Sequence, residues 1–321
     1  MASSSSSSSP GIGEANETRN WLELPRDVTA IILHKVGAID MLENVQKVCK
    51  TWRDICKDPA MWRSIDMFNP GDLWDMPYDP EKMCRHAIDR SCGQLVDINI
   101  EYFGTDDLLH YITERTSQLR RLQLVCCYKI SDEALSEAAK KLPMLEDLHI
   151  YHGSLSKESL ETVGRCCPQL KSLKFNMHLS RAPHMESDDE AIAIAETMPG
   201  LRNLQLFGNQ MTNDGLKAIL DGCPHLESLD LRQCFNIHLG GALGRRCSEQ
   251  IKDLRHPNDS TDDYGFDASI HDAYNYGYDY DSLDDEYPSG FSEIDFPSDV
   301  DEDYEFSDGS DFADDELFFD D

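Results

Sequence analysis

The chain has 321 residues, which is room for two domains, and its formal net charge is −32. From residue 256 onward it carries 24 acidic residues and no Lys or Arg, which leaves −8 for the first 255 residues. This balance excludes the basic surface of a nucleic-acid-binding protein, and no apolar stretch approaches the roughly 20 residues that a membrane span requires.

The cysteine content indicates reduced thiols. The count of 11 is odd, and the adjacent pairs Cys126-Cys127 and Cys166-Cys167 do not resemble a disulfide framework. The sequence contains no Cys-x-x-Cys pair, so neither a zinc site nor another cofactor is expected. The chain starts with a serine run and not with a secretory signal. We therefore expect a protein of the nucleus or cytoplasm.

Residues 1–19 are rich in Ser and Gly and are predicted to be disordered. Three helices are predicted over residues 20–64. Pro25 can open the first helix, because a first helical turn does not use the N–H that proline lacks. Asp58 and Pro59 likewise predict the N-cap and first residue of a short third helix. The apolar residues of the first helix and of a longer second helix recur at steps of three and four: Val28, Ile31, Ile32, Val36, Met41, Val45, Val48, Trp52 and Ile55.

Three helices in so few residues provide little chain for a core of their own. The apolar residues exceed what the helices can hide from one another, so part of this surface is predicted to bind another protein. A plain three-helix core inside a larger domain is the alternative. Four motifs stand in order in this segment: Leu24-Pro25, Ile32-Leu33, Val48-Cys49-Lys50-Thr51-Trp52 and Asp58-Pro59-Ala60-Met61-Trp62.

These motifs resemble the F-box, the helical module that joins a substrate receptor to the Skp adaptor of cullin-RING ubiquitin ligases. The segment departs from the family at Asp27, where Glu is usual, and in a slightly longer loop at residues 37–40. Neither departure removes an apolar anchor. The resemblance implies that the adaptor-binding residues are Leu24, Pro25, Ile32, Leu33, Val36 and Trp52.

Residues 65–94 are predicted to be a linker and a capping helix. Asp79-Pro80-Glu81 provides an N-cap, a first-turn proline and an acidic first turn, so we expect that helix to run to about Ser91.

Over residues 95–255 the phrase Leu-x-x-Leu-x-(Leu/Ile/Phe) recurs every 24 to 31 residues. This period is typical of leucine-rich repeats, in which each unit is a strand and a helix and stacked units share a core. An insertion at residues 178–186 is predicted to lie in a loop, either as a tolerated surface feature or on the binding side. Full copies begin at Leu119, Leu145, Leu170, Leu201 and Leu226, and weaker copies begin at Leu95 and Ile251, which gives seven in all.

The predicted fold is an α/β solenoid, in which a three-helix F-box precedes the repeats. Residues that alternate with the buried leucines point away from the core, and aromatic residues and Arg carry most interface energy. A strand face that merely needs polar residues is the alternative for each single position, but the surface as a whole favours binding. The candidate substrate-binding residues are Arg121, His149, Tyr151, Lys174, Phe207 and Arg232.

Residues 256–321 are predicted to be a disordered acidic tail, because like charges repel and aliphatic residues are scarce. The chain contains no nucleotide-binding loop, nucleophile elbow or zinc-protease helix. With its F-box motifs and seven repeats it is similar to plant SKIP-type F-box proteins. This resemblance implies a non-enzymatic substrate receptor that binds a Skp adaptor, through it a cullin and a RING subunit, and an unknown target protein. The alternative is a ligase-independent scaffold whose acidic tail recruits basic partners.

Overall fold

The computed structural model describes residues 24–68, 78–153, 155–176 and 186–266. The predictions for residues 1–19, for the insertion up to residue 185 and for the tail beyond residue 266 lie outside this part of the chain.

One parallel sheet of eight strands forms in chain order, and each strand pairs with the next. Parallel neighbours need a crossover connection, and seven helices supply it here. The strands are β1 (Ser64–Met67), β2 (Asp97–Glu101), β3 (Arg121–Val125), β4 (Asp147–Tyr151), β5 (Ser172–Asn176), β6 (Asn203–Gln205), β7 (Ser228–Asp230) and β8 (Asp253–Arg255).

The helices form two groups within the described residues. Three short helices precede the sheet, together with 3-10 turns at Val45–Lys47 and Pro59–Trp62, and seven helices alternate with the strands. The helices are α1 (Arg26–His34), α2 (Ala38–Glu43), α3 (Lys50–Cys56), α4 (Pro80–Arg90), α5 (Asp106–Arg115), α6 (Asp132–Lys141), α7 (Lys157–Cys166), α8 (Asp189–Thr197), α9 (Asn213–Gly222) and α10 (Gly241–Gln250).

The leucines of the repeated phrase stack in register between the strands and the helices. Leu122 pairs with Leu148 across β3 and β4, and Leu148 pairs with Leu173 of β5. All three are fully buried. Because a single repeat cannot cover its own apolar side, this stacking produces one continuous core. The predicted α/β solenoid is confirmed.

The sheet begins one strand earlier than the repeated phrase indicates. Residues 65–67 were predicted to be linker, but with Ser64 they form β1, which pairs in register with β2. Ile65 and Met67 lack the leucine phrase, yet both are fully buried. An apolar residue at alternate positions is enough for a strand, and the search for a leucine phrase missed it.

The second helix is not continuous as predicted. Asn44 leaves the helical conformation at φ −122°, and Cys49 is extended at φ −160° and ψ 167°. The segment therefore divides into α2, a 3-10 turn and α3. The cap predictions at Asp58 and Asp79 are confirmed, since each carboxylate accepts a hydrogen bond from the backbone N–H two residues later, at 3.0 and 2.9 Å respectively.

The first three helices are joined to the repeats through one buried tryptophan and one arginine. Trp62 is 0% exposed, and its indole Nε1 donates to the carbonyl of Cys56 at 2.7 Å. Arg90 of α4 lies over the Trp62 ring at 5.5 Å and donates to Gln46 Oε1 at 2.9 Å. This contact fixes the orientation of the helical module on the solenoid.

Carboxylates in the helix layer also tie three pairs of neighbouring repeats together. Asp132, the first residue of α6, accepts from the backbone N–H of Ser156 at 2.8 Å and from its hydroxyl at 2.9 Å. Ser156 immediately precedes α7, so the start of α7 is held by α6. The same arrangement recurs in the pairs Asp106–Ser131 and Asp188–Thr212.

The chain leaves several strands through a residue with left-handed φ. Among these residues are Cys126 after β3 and His152 after β4, both at φ 52°. Gly208 and Gln233 take φ 72° and 64° at the matching positions after β6 and β7. This turn directs the chain from the strand toward the helix layer. The residue before each of these left-handed positions therefore lies at the same edge of the sheet.

Candidate functional site

Among the described residues of the helical module, four large apolar side chains are exposed: Val28, Ile31, Val36 and Val48. Their exposed fractions are 38%, 63%, 42% and 60%, and we call this set the F-box apolar surface. The buried positions of α1 are Thr29 and Leu33, one turn apart, so Val28 and Ile31 are left outside the core. Exposed apolar side chains gathered on one small module mark a surface that binds a partner.

The predicted adaptor-binding residues divide by burial. Pro25 and Val36 are exposed, whereas Leu24 and Ile32 are half-buried. Trp52 is also half-buried and packs against the core.

Leu33 requires a correction as an adaptor-binding residue, because it is only 1% exposed and belongs to the core. The predicted set left out Val28, Ile31 and Val48, which are exposed, although the sequence analysis had recognised all three as apolar. Spacing alone could not show which side of the helix the core covers.

A second candidate surface is the face of the sheet opposite the helices, which we call the open face. Side chains from neighbouring strands form rows across it because the strands are in register. Arg121 lies between Asp97 at 3.1 Å and Asp147 at 3.4 Å, linking β2, β3 and β4. These groups are partly exposed, so solvent screens the ion pairs and they orient side chains more than they stabilise the fold.

His149 and Lys174 are less accessible than the prediction assumed. Burial, together with the positive charges of Lys174 and Arg121, lowers the pKa of His149 to about 3. The imidazole Nδ1 lies 3.3 Å from Gln123 Oε1. Burial also lowers the pKa of Lys174. The middle of the open face is therefore a basic environment in which His149 is neutral.

We expect His149 to make the folded protein less stable in acid. The pKa of His149 is about 3 in the folded protein and about 6.5 in an unfolded chain. Below pH 6.5 the unfolded state therefore binds a proton that the folded state does not bind, which favours unfolding. Urea unfolding at pH 7.5 and pH 5 would compare the wild type with His149→Gln. The wild type should lose about 2 kcal/mol more than the variant on acidification. Equal losses would contradict the low pKa.

Four residues form a further row at the carboxyl ends of the strands, and we call it the end row. Tyr151 and Asn176 end β4 and β5, and Phe207 and Arg232 lie two residues beyond β6 and β7. All four are buried, and Asn176 Oδ1 accepts from the Phe207 backbone N–H at 3.1 Å. The structure therefore buries Tyr151, Phe207 and Arg232, which the sequence analysis expected to be exposed.

The cover on the end row comes from residues 260–266, which we call the covering segment. The Tyr264 ring stacks on Phe207, with centroids 3.9 Å apart and an interplanar angle of 2°. The Phe266 ring packs on Tyr151 at 4.2 Å. Aromatic pairs at these distances contribute beyond their buried area. The rings of Tyr264 and Phe266 therefore shield the rings of Phe207 and Tyr151 from solvent.

Arg232 is the centre of the polar contacts under the covering segment. Its Nη1 donates to the Ser260 carbonyl at 3.0 Å and to the Asp263 carboxylate, which Arg255 also contacts at 2.9 Å. Its Nε and Nη2 donate to Asp230 at 3.0 and 2.7 Å. Hydrogen bonds to Asp230 and Asp263 raise the pKa of Arg232. Arg232 is thus held by the sheet on one side and by the covering segment on the other.

The path of the chain after β8 also requires a correction. Residues 256–266 were assigned to a disordered tail, but the structure gives them defined contacts. The Pro257 carbonyl accepts from the Gln233 N–H at 2.8 Å, and Tyr264 N–H donates to the Thr261 carbonyl at 2.9 Å. The acidic composition predicted disorder for this segment, but the rings of Tyr264 and Phe266 pack against aromatic residues of the sheet edge.

The thiols near this edge serve packing. Cys127 Sγ lies 3.5 Å from the Ile100 carbonyl, and Cys234 Sγ lies 2.9 Å from the Leu206 carbonyl, so both bridge neighbouring repeats. Burial raises the pKa of both thiols to about 12, which keeps them protonated. Within the described ranges, three or more potential metal-binding side chains do not cluster anywhere. In the same ranges, none of the helices combines the length and apolarity needed to span a bilayer.

Comparison with known families covers both parts of the chain. An F-box-like profile matches residues 21–67, a profile for the leucine-rich repeats of an FBD-associated F-box protein matches residues 82–189, and a Leucine Rich repeat profile matches residues 199–220. F-box protein SKIP19 of Arabidopsis thaliana is 54% identical over 317 residues, which cover 98% of this chain and 99% of that protein. This chain belongs to the F-box/leucine-rich-repeat family.

Other relatives match a shorter stretch of this chain. The putative F-box/LRR-repeat protein 23 of Arabidopsis thaliana is 55% identical over 82% of this chain and 59% of its own length. F-box protein FBW2 of the same plant is 30% identical over 70% of this chain and 71% of its own length. Among solved structures, a complex of Rad7 and Elc1 in yeast aligns with 70% of this chain and 65% of that chain, at 14% identity and a TM-score of 0.39.

The family matches include the F-box apolar surface but not the covering segment. The F-box match contains the whole F-box apolar surface and extends to the end of β1. The covering segment lies outside all three matched ranges.

Proposed function

We propose that this protein is the substrate-recognition subunit of a Skp–cullin–F-box ubiquitin ligase. In this proposal the F-box apolar surface binds the Skp-type adaptor, which connects the protein to the cullin and the RING subunit. The repeats hold a target protein, and the chain itself is not an enzyme. Ubiquitin transfer then depends on holding the target close to the charged enzyme. The site of action is the nucleus or the cytoplasm.

The observation that carries the proposal is the F-box apolar surface on a module whose core is already complete. Leu33, Met41, Leu42 and Trp62 are all buried, so Ile31 and its exposed neighbours are not needed to fold the helices. Apolar side chains left in water are costly, and a partner surface removes that cost. Family membership identifies the adaptor as the kind of partner to test.

The contact between Trp62 and Arg90 supports the same role. Because it ties the F-box helices to α4, the adaptor and the open face keep a fixed relative position. A receptor needs such rigidity to present its target in one orientation.

Co-purification with a Skp-type adaptor tests the proposal. The wild type should retain the adaptor on an affinity column, whereas the double variant Leu24→Ala and Pro25→Ala should lose it without a change in the thermal unfolding of the repeats. Reconstitution with a cullin, a RING subunit and the charged enzyme should then give adaptor-dependent ubiquitination of a captured target. Failure of the wild type to retain any Skp-type adaptor would contradict the proposal.

The alternative of a ligase-independent scaffold concerns mainly the acidic residues 267–321. They lie outside the described part of the chain.

A further inference from the structure

The covering segment contacts the end row in the way that a bound peptide contacts a receptor. Tyr264 and Phe266 lie on Phe207 and Tyr151, and Asp263 reaches Arg232. The two sides differ in burial. The Arg232 side chain is 5% exposed and the Asp263 side chain 53%, so the arginine belongs to the floor and the aspartate to the occupant.

The floor of the end row is organised without its occupant. Arg232 is fixed by Asp230, and Asn176 is fixed by the Phe207 backbone N–H. A site held by its own sheet loses little freedom on binding, which favours recognition of a short peptide.

The covering segment also reaches a polar group of the floor. Burial raises the pKa of Tyr264, and a hydrogen bond from the Asn176 side chain acts in the opposite direction, so the Tyr264 hydroxyl faces Asn176. A tyrosine at this position of a bound peptide would make the same contact.

The sequence contains the contacting motif twice. Asp262-Asp263-Tyr264-Gly265-Phe266 is matched by Glu302-Asp303-Tyr304-Glu305-Phe306, so both have the form (Asp/Glu)-Asp-Tyr-x-Phe. The fourth position of the motif differs between the two copies, with Gly265 in one and Glu305 in the other. A Cβ placed on Gly265 would meet no atom within 4 Å, so a larger residue fits there.

Charge at the site favours an acidic occupant. Asp263 contacts both Arg232 and Arg255, and a groove of about 240 Å³ beside it is lined by Lys174 as well as by both arginines. Asp230 and Asp253 also line this groove, and Asp230 is already engaged by Arg232. When the covering segment leaves, Arg255 loses its partner Asp263 and, with Lys174, can pair with an acidic peptide.

We propose that the end row is a binding site for acidic peptides of the form (Asp/Glu)-Asp-Tyr-x-Phe, and that the covering segment occupies it until a target with this motif displaces it. This names the class of target for the receptor and in that sense rests on the proposed function. The aromatic residues fill the apolar positions, and the aspartate pairs with Arg232 and Arg255.

Peptide binding by the full-length chain tests the proposal without the adaptor. The probe is a fluorescein-labelled peptide of residues 299–308, and the control peptide carries Ser in place of Tyr304 and Phe306. The open variant has Tyr264→Ser, Phe266→Ser, Tyr304→Ser and Phe306→Ser, which removes both internal copies. Fluorescence anisotropy should show at least tenfold tighter binding of the probe to the open variant than to the wild type. The control peptide should not bind.

A milder variant covers the case in which the open variant unfolds. Asp263→Asn leaves both rings in place and removes only the paired charge, so the probe should bind several-fold tighter than to the wild type. In the open variant, Arg255→Gln should weaken binding several-fold and reduce its dependence on salt. The proposal would be overturned if the probe bound neither the folded open variant nor the Asp263→Asn variant.

The two proposals fail separately. Adaptor co-purification of the open variant should equal that of the wild type, since its changes lie outside the F-box. Loss of peptide binding with adaptor binding intact would refute the peptide site alone. Peptide binding without adaptor binding would refute the receptor role alone.

Discussion

Replacing Ile31 with Glu is expected to weaken binding of a Skp-type adaptor at least 100-fold, a loss of about 2.7 kcal/mol. Ile31 is 63% exposed, the largest exposed fraction on the F-box apolar surface, and lies on α1 opposite the buried Leu33. A carboxylate there would be buried without a partner when the adaptor binds, and burying an unpaired charge is strongly unfavourable. Titration calorimetry or surface-plasmon resonance with purified adaptor measures the change.

The matched control is Ile192→Glu on α8. Ile192 is 43% exposed, so the same substitution is made at a similarly exposed apolar site far along the chain from the F-box. It should leave adaptor affinity within twofold of the wild type. Val48→Glu, at a site 60% exposed, should behave like Ile31→Glu. Unchanged affinity in both F-box variants would show that the adaptor uses another surface.

Replacing Trp62 with Ala is expected to lower the free energy of unfolding by about 3–5 kcal/mol. Trp62 is 0% exposed, its indole N–H is hydrogen-bonded to Cys56, and Arg90 lies over its ring. The substitution creates a cavity at the joint between the F-box and the repeats and leaves the Cys56 carbonyl without that donor. Urea unfolding followed by circular dichroism measures the loss.

The matched control for this position is Trp62→Phe. Phenylalanine keeps most of the buried ring but lacks the indole N–H, so the expected loss is smaller, about 1–2 kcal/mol. The wild type should unfold in one transition because both parts share a core, whereas Trp62→Ala should separate the F-box from the repeats into two transitions. Equal stability of wild type and Trp62→Ala would mean that the joint does not couple them.

These two expectations test different steps of the proposed function. In that proposal, the F-box apolar surface binds the adaptor and the joint at Trp62 sets the orientation of the open face. Under the proposed peptide site, capture of a target also requires that the covering segment leave the end row. A receptor whose binding site is already filled by its own chain would bind targets only when they compete successfully.

The sequence by itself determined the order of strands and helices in the repeats and the presence of the F-box. The leucines of the repeated phrase recur at a period typical of stacked strand–helix units, and the capping residues Asp58 and Asp79 act within their own turn. Such local patterns are fixed by residues close in the chain. The tail motif (Asp/Glu)-Asp-Tyr-x-Phe was equally visible, but nothing local indicated where its side chains would pack.

Only the tertiary structure decided which surfaces remain open. Helical spacing places Ile31 and Leu33 on different sides of α1, but the packing of neighbouring helices decides that Leu33 is core and Ile31 is exposed. Strand alternation likewise turns Tyr151 and Phe207 away from the leucines, yet Phe266 and Tyr264 arrive from a distant part of the chain to cover them. Spacing specifies which residues share a face, whereas burial depends on what else packs against it, and that contact has no signal in the local sequence.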